Sequence, residues 1–136
     1  MSMMFHKVEM PAPHEDMAKI INSCVLPGDI PFAVRQIEII DFKTRGVVVG
    51  NHYHTVKSGQ REFFIVVGPP NVILFTYRFR AVRDKKMEEI TLMAGDACLI
   101  SPPCSHAFRT QHSQAKLWRL SNMADDAAHD VPDELF

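Results

Sequence analysis

The chain has 136 residues, the size of one domain, with room for a core that folds without a metal or disulfide staple. Its 15 Lys+Arg against 16 Asp+Glu leave a formal net charge of −1, whereas a general nucleic-acid binder needs a basic excess to displace counterions from phosphates. Apolar content of 46% with 23% charged residues excludes a mostly disordered chain. Cys24, Cys98 and Cys104 show no CxxC spacing, so neither a disulfide framework nor a zinc ribbon is expected. No apolar run reaches the length of a membrane span; the richest, Phe63 to Val67, stops at Gly68-Pro69-Pro70. His6, Lys7 and Glu9 stand where a signal peptide would be apolar, so a cytoplasmic location is expected.

Residues 1–31 read as a lead, with Pro11 and Pro13 breaking any regular element, followed by a short helix over His14 to Cys24. Glu15 and Asp16 suit the positive end of that helix, and Met17, Ile20 and Ile21 recur at helical spacing. From Phe32 onward the pattern is one of strands. The predicted runs are Ala33 to Asp41, Val47 to His54, Glu62 to Val67, Val72 to Val82, Glu88 to Met93, Ala97 to Ile100, His106 to Thr110 and Ala115 to Ser121. Turns fall at Ser58-Gly59, Gly68-Pro69-Pro70, Asp84-Lys85 and Ala94-Gly95-Asp96. Residues 32–122 therefore form an all-β sandwich or barrel. Residues 123–136, with five acidic side chains, read as a tail over its surface.

Chemistry concentrates at His52 and His54. In a strand, residues two apart face the same side, so both imidazoles point together while Tyr53 points away. Two imidazoles on one face make half a metal site, or else two unrelated polar residues on a solvated face. Gly46 precedes His52 by six, giving G-x5-H-x-H; downstream, His106 follows Gly95 by eleven, across a proline turn.

These two motifs resemble those of the cupin superfamily, G-x5-H-x-H-x3,4-E-x6-G and G-x5-P-x-G-x2-H-x3-N. The resemblance covers about Phe32 to Ser121 and implies a single-domain double-stranded β-helix, or jelly roll, with a site inside the barrel. The sequence departs from the pattern at several places. Ser58 and Gly59 occupy the expected glutamate positions, Arg61 stands seven before Gly68 in the slot counted back from it, and Glu62 is one residue out of phase unless a bulge near Gly59 turns it inward. Ser101, Pro103 and Thr110 replace the second motif's proline, glycine and asparagine. The implied ligands of a divalent cation (zinc, nickel, iron or manganese) are thus His52, His54 and His106, with Glu62 as the fourth candidate.

The run Gly50-Asn51-His52-Tyr53-His54, with Lys57 three further on, is similar to the Gly-Asn-His-Tyr-His-x-x-Lys run in the C-terminal cupin domain of capsular-polysaccharide reductase/epimerases. The ending Val131-Pro132-Asp133-Glu134-Leu135-Phe136 also resembles that domain's Pro-Asp-x-x-Phe close. This implies epimerisation or isomerisation of a nucleotide-linked keto-deoxysugar in surface polysaccharide biosynthesis, by a homodimer with no nucleic-acid or membrane partner. The reductase half is not matched, because the chain has no GxGxxG. Proton abstraction beside a ketone needs a base, for which Lys57 and Tyr77 are the candidates, and Arg78 and Arg80 are candidates for a pyrophosphate. The bland counterparts are a solvated turn lysine, a packed aromatic and an outer-face charge set. Two other functions fit the same motifs: an iron-dependent dioxygenase, and a small-ligand-binding cupin without catalysis.

Overall fold

The computed structural model describes residues 3–7, 14–15, 20–21, 30, 32–81, 86–124 and 130–136. Alternation of apolar and polar residues produces strands almost throughout. In chain order they are β1 (Met3–Lys7), β2 (His14–Glu15), β3 (Ile20–Ile21), β4 (Gln36–Asp41), β5 (Val48–His54), β6 (Glu62–Val67), β7 (Phe75–Ala81), β8 (Glu88–Leu92), β9 (Asp96–Ile100), β10 (Cys104–Thr110), β11 (Lys116–Ser121) and β12 (Asp130–Pro132). Two five-stranded sheets run in the orders β1-β9-β6-β11-β4 and β12-β5-β10-β7-β8, and every pairing within them is antiparallel. This is an all-β jelly roll, and each of the eight expected strand runs overlaps one of its strands, with β9 and β10 starting one and two residues earlier than expected.

The lead differs from expectation. In place of a short N-terminal helix, His14–Glu15 pairs antiparallel with Ile20–Ile21. Isoleucines at positions 20 and 21 serve a strand as well as a helix, and so short a window cannot separate the two periods. The rest of the expected helix lies outside the described residues, as do Cys24 and the Asp84-Lys85 turn. Met3–Lys7, read as irregular, is an edge strand on β9, in register from Met3 opposite Ile100 to Lys7 opposite Asp96.

The sheets enclose a core of Phe64, Phe75, Tyr77, Leu92, Ile100, Phe108 and Leu117. Strand β6 is buried along both of its faces because a second apolar layer covers the outside of its sheet. Phe63 and Ile65 pack there with Ala97, Leu99 and Leu120, under Ile30 and Phe32. That double burial makes β6 a rigid platform for whatever side chain stands at its entry, and that side chain is Glu62.

Candidate active site

Strands β5 and β10 lie side by side, and one irregularity in their pairing aims the histidines. His106 stands opposite His52 and Ala107 opposite Gly50, so Asn51 is an extra residue on β5. Asn51 takes up the bulge in the left-handed region (φ 58°), which asparagine tolerates better than most residues. Gly50 is required beside it: a Cβ at that position would lie 2.5 Å from the His106 carbonyl oxygen. After the bulge, His52 and His54 share the inward face. Ring centroids are 4.9 Å apart for His52–His54, 5.0 Å for His52–His106 and 5.9 Å for His54–His106.

Glu62 completes the group. The chain between β5 and β6 makes a 3-10 turn over Val56–Ser58, capped by Thr55 and ended by Gly59 at φ 66°. That turn, rather than a bulge in a strand, turns the Glu62 carboxylate into the barrel. One ligand atom from each of His52, His54, Glu62 and His106 lies within 4.8 Å of the others.

The charges are arranged around Glu62. Arg119 Nε donates to its Oε2 at 2.5 Å, and its Oε1 hydrogen-bonds His54 Nε2. Arg119 also donates through Nη1 to Glu38 Oε1 at 2.8 Å. Burial opposes ionisation of Glu62, but the His54 hydrogen bond and the His106, Arg119 and His54 charges prevail and bring its pKa down to about 2. His54 moves the other way. Burial would lower its pKa, yet the hydrogen bond to Glu62 and the Glu62 and Asp130 charges raise it. For His52 burial prevails over Asp130, and the pKa falls. His106, fully enclosed, is pushed down to about 4 by burial.

The pH dependence of stability follows. Between pH 6.5 and about 4 the unfolded chain takes up a proton that folded His106 refuses, so stability of the cation-free protein falls as pH falls through that window. The shift corresponds to roughly 3 kcal/mol, and His52 adds to it in the same direction. His54, with its raised value, contributes fully below 6.5 and loses its contribution as pH rises, so it does not mask the acid limb. Melting temperatures of chelator-treated protein should drop over pH 6.5 to 4, and His106→Gln should flatten that slope.

This donor set fits a divalent cation. It offers neutral imidazoles at His52 and His106 and a carboxylate already ionised. Beside it, His54 Nδ1 and Asp130 Oδ1 are buried without a directed hydrogen bond, although they lie only 2.9 Å apart. His52, Glu62 and His106 line a cavity of about 150 Å³, with Phe64 and Phe108 below them and Glu38, Ile40, Val49, Gly50 and Arg119 completing the wall.

The other candidates from the sequence stand off this wall. Lys57 is exposed on the 3-10 turn. Tyr77 is fully buried, stacked on Phe79 and 4.4 Å from the Phe108 ring centroid, and burial holds its hydroxyl protonated well above the usual tyrosine range. Arg78 and Arg80 project from the opposite face of β7. Arg78 binds Glu89 and the Leu135 carbonyl, and Arg80 binds Asp133.

No protein-family model matches the chain, and no curated protein matches its sequence. Solved structures match along nearly its whole length. QdtA, a sugar 3,4-ketoisomerase from Thermoanaerobacterium thermosaccharolyticum determined with TDP, superposes with a TM-score of 0.71 at 15% identity, covering 96% of this chain and 87% of QdtA. WlaRA, a TDP-fucose-3,4-ketoisomerase from Campylobacter jejuni, gives 0.70 at 17% identity, covering 98% and 90%. ChmJ, a 3'-monoepimerase from Streptomyces bikiniensis determined with dTDP-quinovose, gives 0.72 at 17%, covering 96% and 69%. The chain has the cupin fold. It shares that fold with QdtA, WlaRA and ChmJ.

Three residues of this cupin site were missed by sequence reasoning. Arg119 had a signal: it shares its face of β11 with Leu117, and a charge on a buried face demands a partner. Glu38 was findable only with the strand register, which sets it opposite Arg119. Asp130 gave no signal, since it lies in a segment that reads as a surface tail.

Proposed function

We propose that the protein epimerises or isomerises a nucleotide-linked keto-deoxysugar by moving a proton beside the ketone, at a centre built from His52, His54, His106 and Glu62. The observation that carries this reading is the convergence of three imidazoles and an ionised carboxylate in one cluster, of which His52, His106 and Glu62 line the barrel cavity. The fold supports it, because QdtA, WlaRA and ChmJ share that fold and are named as ketoisomerases or an epimerase of nucleotide-linked sugars.

The four donors would hold one divalent cation, which as a Lewis acid stabilises the negative charge that develops on the substrate's carbonyl oxygen. The chain's own residues set the rest. Arg119 keeps Glu62 ionised and aimed at the cavity. Phe64 and Phe108 floor the cavity and keep water from the reacting carbon. A space of about 150 Å³ is smaller than the roughly 300–1,000 Å³ that encloses a whole ligand, so it takes the sugar ring and leaves the nucleotide along the rim. Lys57 and Tyr77 stand away from that ring, and Glu38, on the wall and held by Arg119, takes the role of proton acceptor. The reading includes a homodimer, for which exposed Ile37 and Ile39 on edge strand β4 are the support.

The test is exchange. Nucleotide-linked 4-keto-6-deoxysugars incubated with the protein in deuterated water should gain deuterium at the carbon next to the ketone. Elemental analysis should find about one divalent cation per chain. Absence of exchange with every such sugar sinks the enzymatic reading; iron with oxygen uptake would favour the dioxygenase, and ligand binding without turnover the non-catalytic cupin.

A further inference from the structure

We infer that Asp130 is a positioning residue: its one carboxylate faces the Nδ1 atoms of both β5 histidines and so presents their Nε2 atoms to the cluster that they form with Glu62 and His106. The inference deepens the function proposed above and rests on the same site.

The geometry begins with the ladder. β12 pairs with β5 so that Asp130 stands directly opposite His54, and Pro132 opposite His52. From there Asp130 Oδ1 reaches to 2.9 Å from His54 Nδ1, and Oδ2 to 4.0 Å from His52 Nδ1. The other nitrogen of His54, Nε2, already points at Glu62. A histidine that ligates a cation through one nitrogen is held in orientation and tautomer by an acceptor at the other, and the loss of that acceptor typically weakens binding by about 10–100-fold. Asp130 sits where such an acceptor must be for His54, at hydrogen-bond distance, and its second oxygen faces the His52 ring from 4.0 Å.

What keeps it there is the segment that follows. Asp133 N donates to the Asn51 carbonyl at 2.9 Å, and Ser105 Oγ donates to Asp133 Oδ2 at 2.5 Å. Arg80 binds the same carboxylate through two nitrogens. The Asn51 side chain accepts from Leu135 N at 2.9 Å. The Phe136 ring then lies against two guanidinium groups, with Arg78 at 4.3 Å and Arg109 at 4.7 Å from its centroid. Residues 133–136 therefore clamp the outer face of the sheet whose inner face carries the histidines. The bulge residue Asn51 joins the two, accepting from the segment with both its side chain and its backbone carbonyl.

The decisive measurement uses full-length, chelator-treated protein labelled with ¹⁵N-histidine, in which long-range ring spectra show whether each nitrogen carries a proton. Wild-type His54 should carry hydrogen on Nδ1. Asp130→Asn, which retains an acceptor oxygen, should keep that pattern, and Asp130→Ala should lose it. Zinc affinity, read by competition with a chromogenic chelator, should fall about 10–100-fold in Asp130→Ala and only a few-fold in Asp130→Asn. Unchanged ring signals in a folded Asp130→Ala protein would overturn the inference, as would equal losses in the two variants. If Asp130→Ala does not fold, Asp133→Ala loosens the clamp without touching a histidine and should move the His54 signals in the same direction; no movement there also overturns it. Wild-type protein that takes up no zinc would instead count against the cation in the proposed function, while the ring spectra still decide the role of Asp130.

Discussion

Glu62→Ala should cost the cation-free protein about 3–5 kcal/mol of folding free energy, the range expected when one partner of a buried ion pair is removed. Glu62 is 1% exposed, and the Arg119 side chain beside it is only 8% exposed. With the carboxylate gone, Arg119 keeps Glu38 but loses its 2.5 Å contact, and His54 loses the Nε2 partner that raises its pKa. One buried cation, Arg119, then faces a void. Urea unfolding should show the lowered midpoint with little change in slope. Glu62→Gln should lose less, since an amide oxygen still accepts from Arg119. Combining Glu62→Ala with Arg119→Met should recover part of the loss, because the second change removes the stranded charge. A Glu62→Ala protein within about 1 kcal/mol of wild type would mean that water reaches the carboxylate and that the pair is not a buried one.

The same electrostatic knot explains which parts of the molecule the sequence discloses. Strand β6 begins and ends where the continuous apolar run Phe63 to Val67 and the Gly68-Pro69-Pro70 break say it should, because its character is written in local residues. His52 and His54 are legible for the same reason: a spacing of two on a strand decides their common face. His106 is reached only through the spacing from Gly95, and its meeting with His52 depends on the Asn51 bulge that the Gly50-Asn51 dipeptide allows but does not announce. Glu62 looked out of phase because the motif spacing, counted on from His54 and back from Gly68, lands on Ser58, Gly59 and Arg61. A 3-10 turn over Val56–Ser58 resets the count. Arg119, Glu38 and Asp130 depend on pairings between strands up to 81 residues apart in sequence for Arg119 and Glu38. Such pairings are a property of topology, and no window of the chain contains them. The lead illustrates the converse failure, since Ile20 and Ile21 satisfy a helical spacing by themselves yet find their partners in His14 and Glu15.

Glu38→Gln should slow solvent exchange beside the substrate ketone by about 10²–10⁴-fold, the usual contribution of a positioned acid–base group, while one cation per chain is retained. Four of the described ionisable groups at the site would serve as cation donors in the proposed function, and Arg119 stays charged at any working pH. Glu38 is what remains among the described residues that line the space. Its side chain is 34% exposed, enough to pass a proton to solvent between turnovers, and Arg119 Nη1 at 2.8 Å fixes its carboxylate in direction. Glutamine keeps the acceptor that Arg119 needs and removes only basicity, so thermal stability should move little, in contrast to Glu62→Ala. A Glu38→Gln protein that exchanges at the wild-type rate would relocate the base. The neutral His52 imidazole, a quarter exposed at the mouth of the same cavity, would then have to serve, which is incompatible with its holding the cation at the same moment. Exchange and cation content measured on one sample of this variant therefore separate a centre that polarises the ketone through bound metal from one that works by imidazole alone.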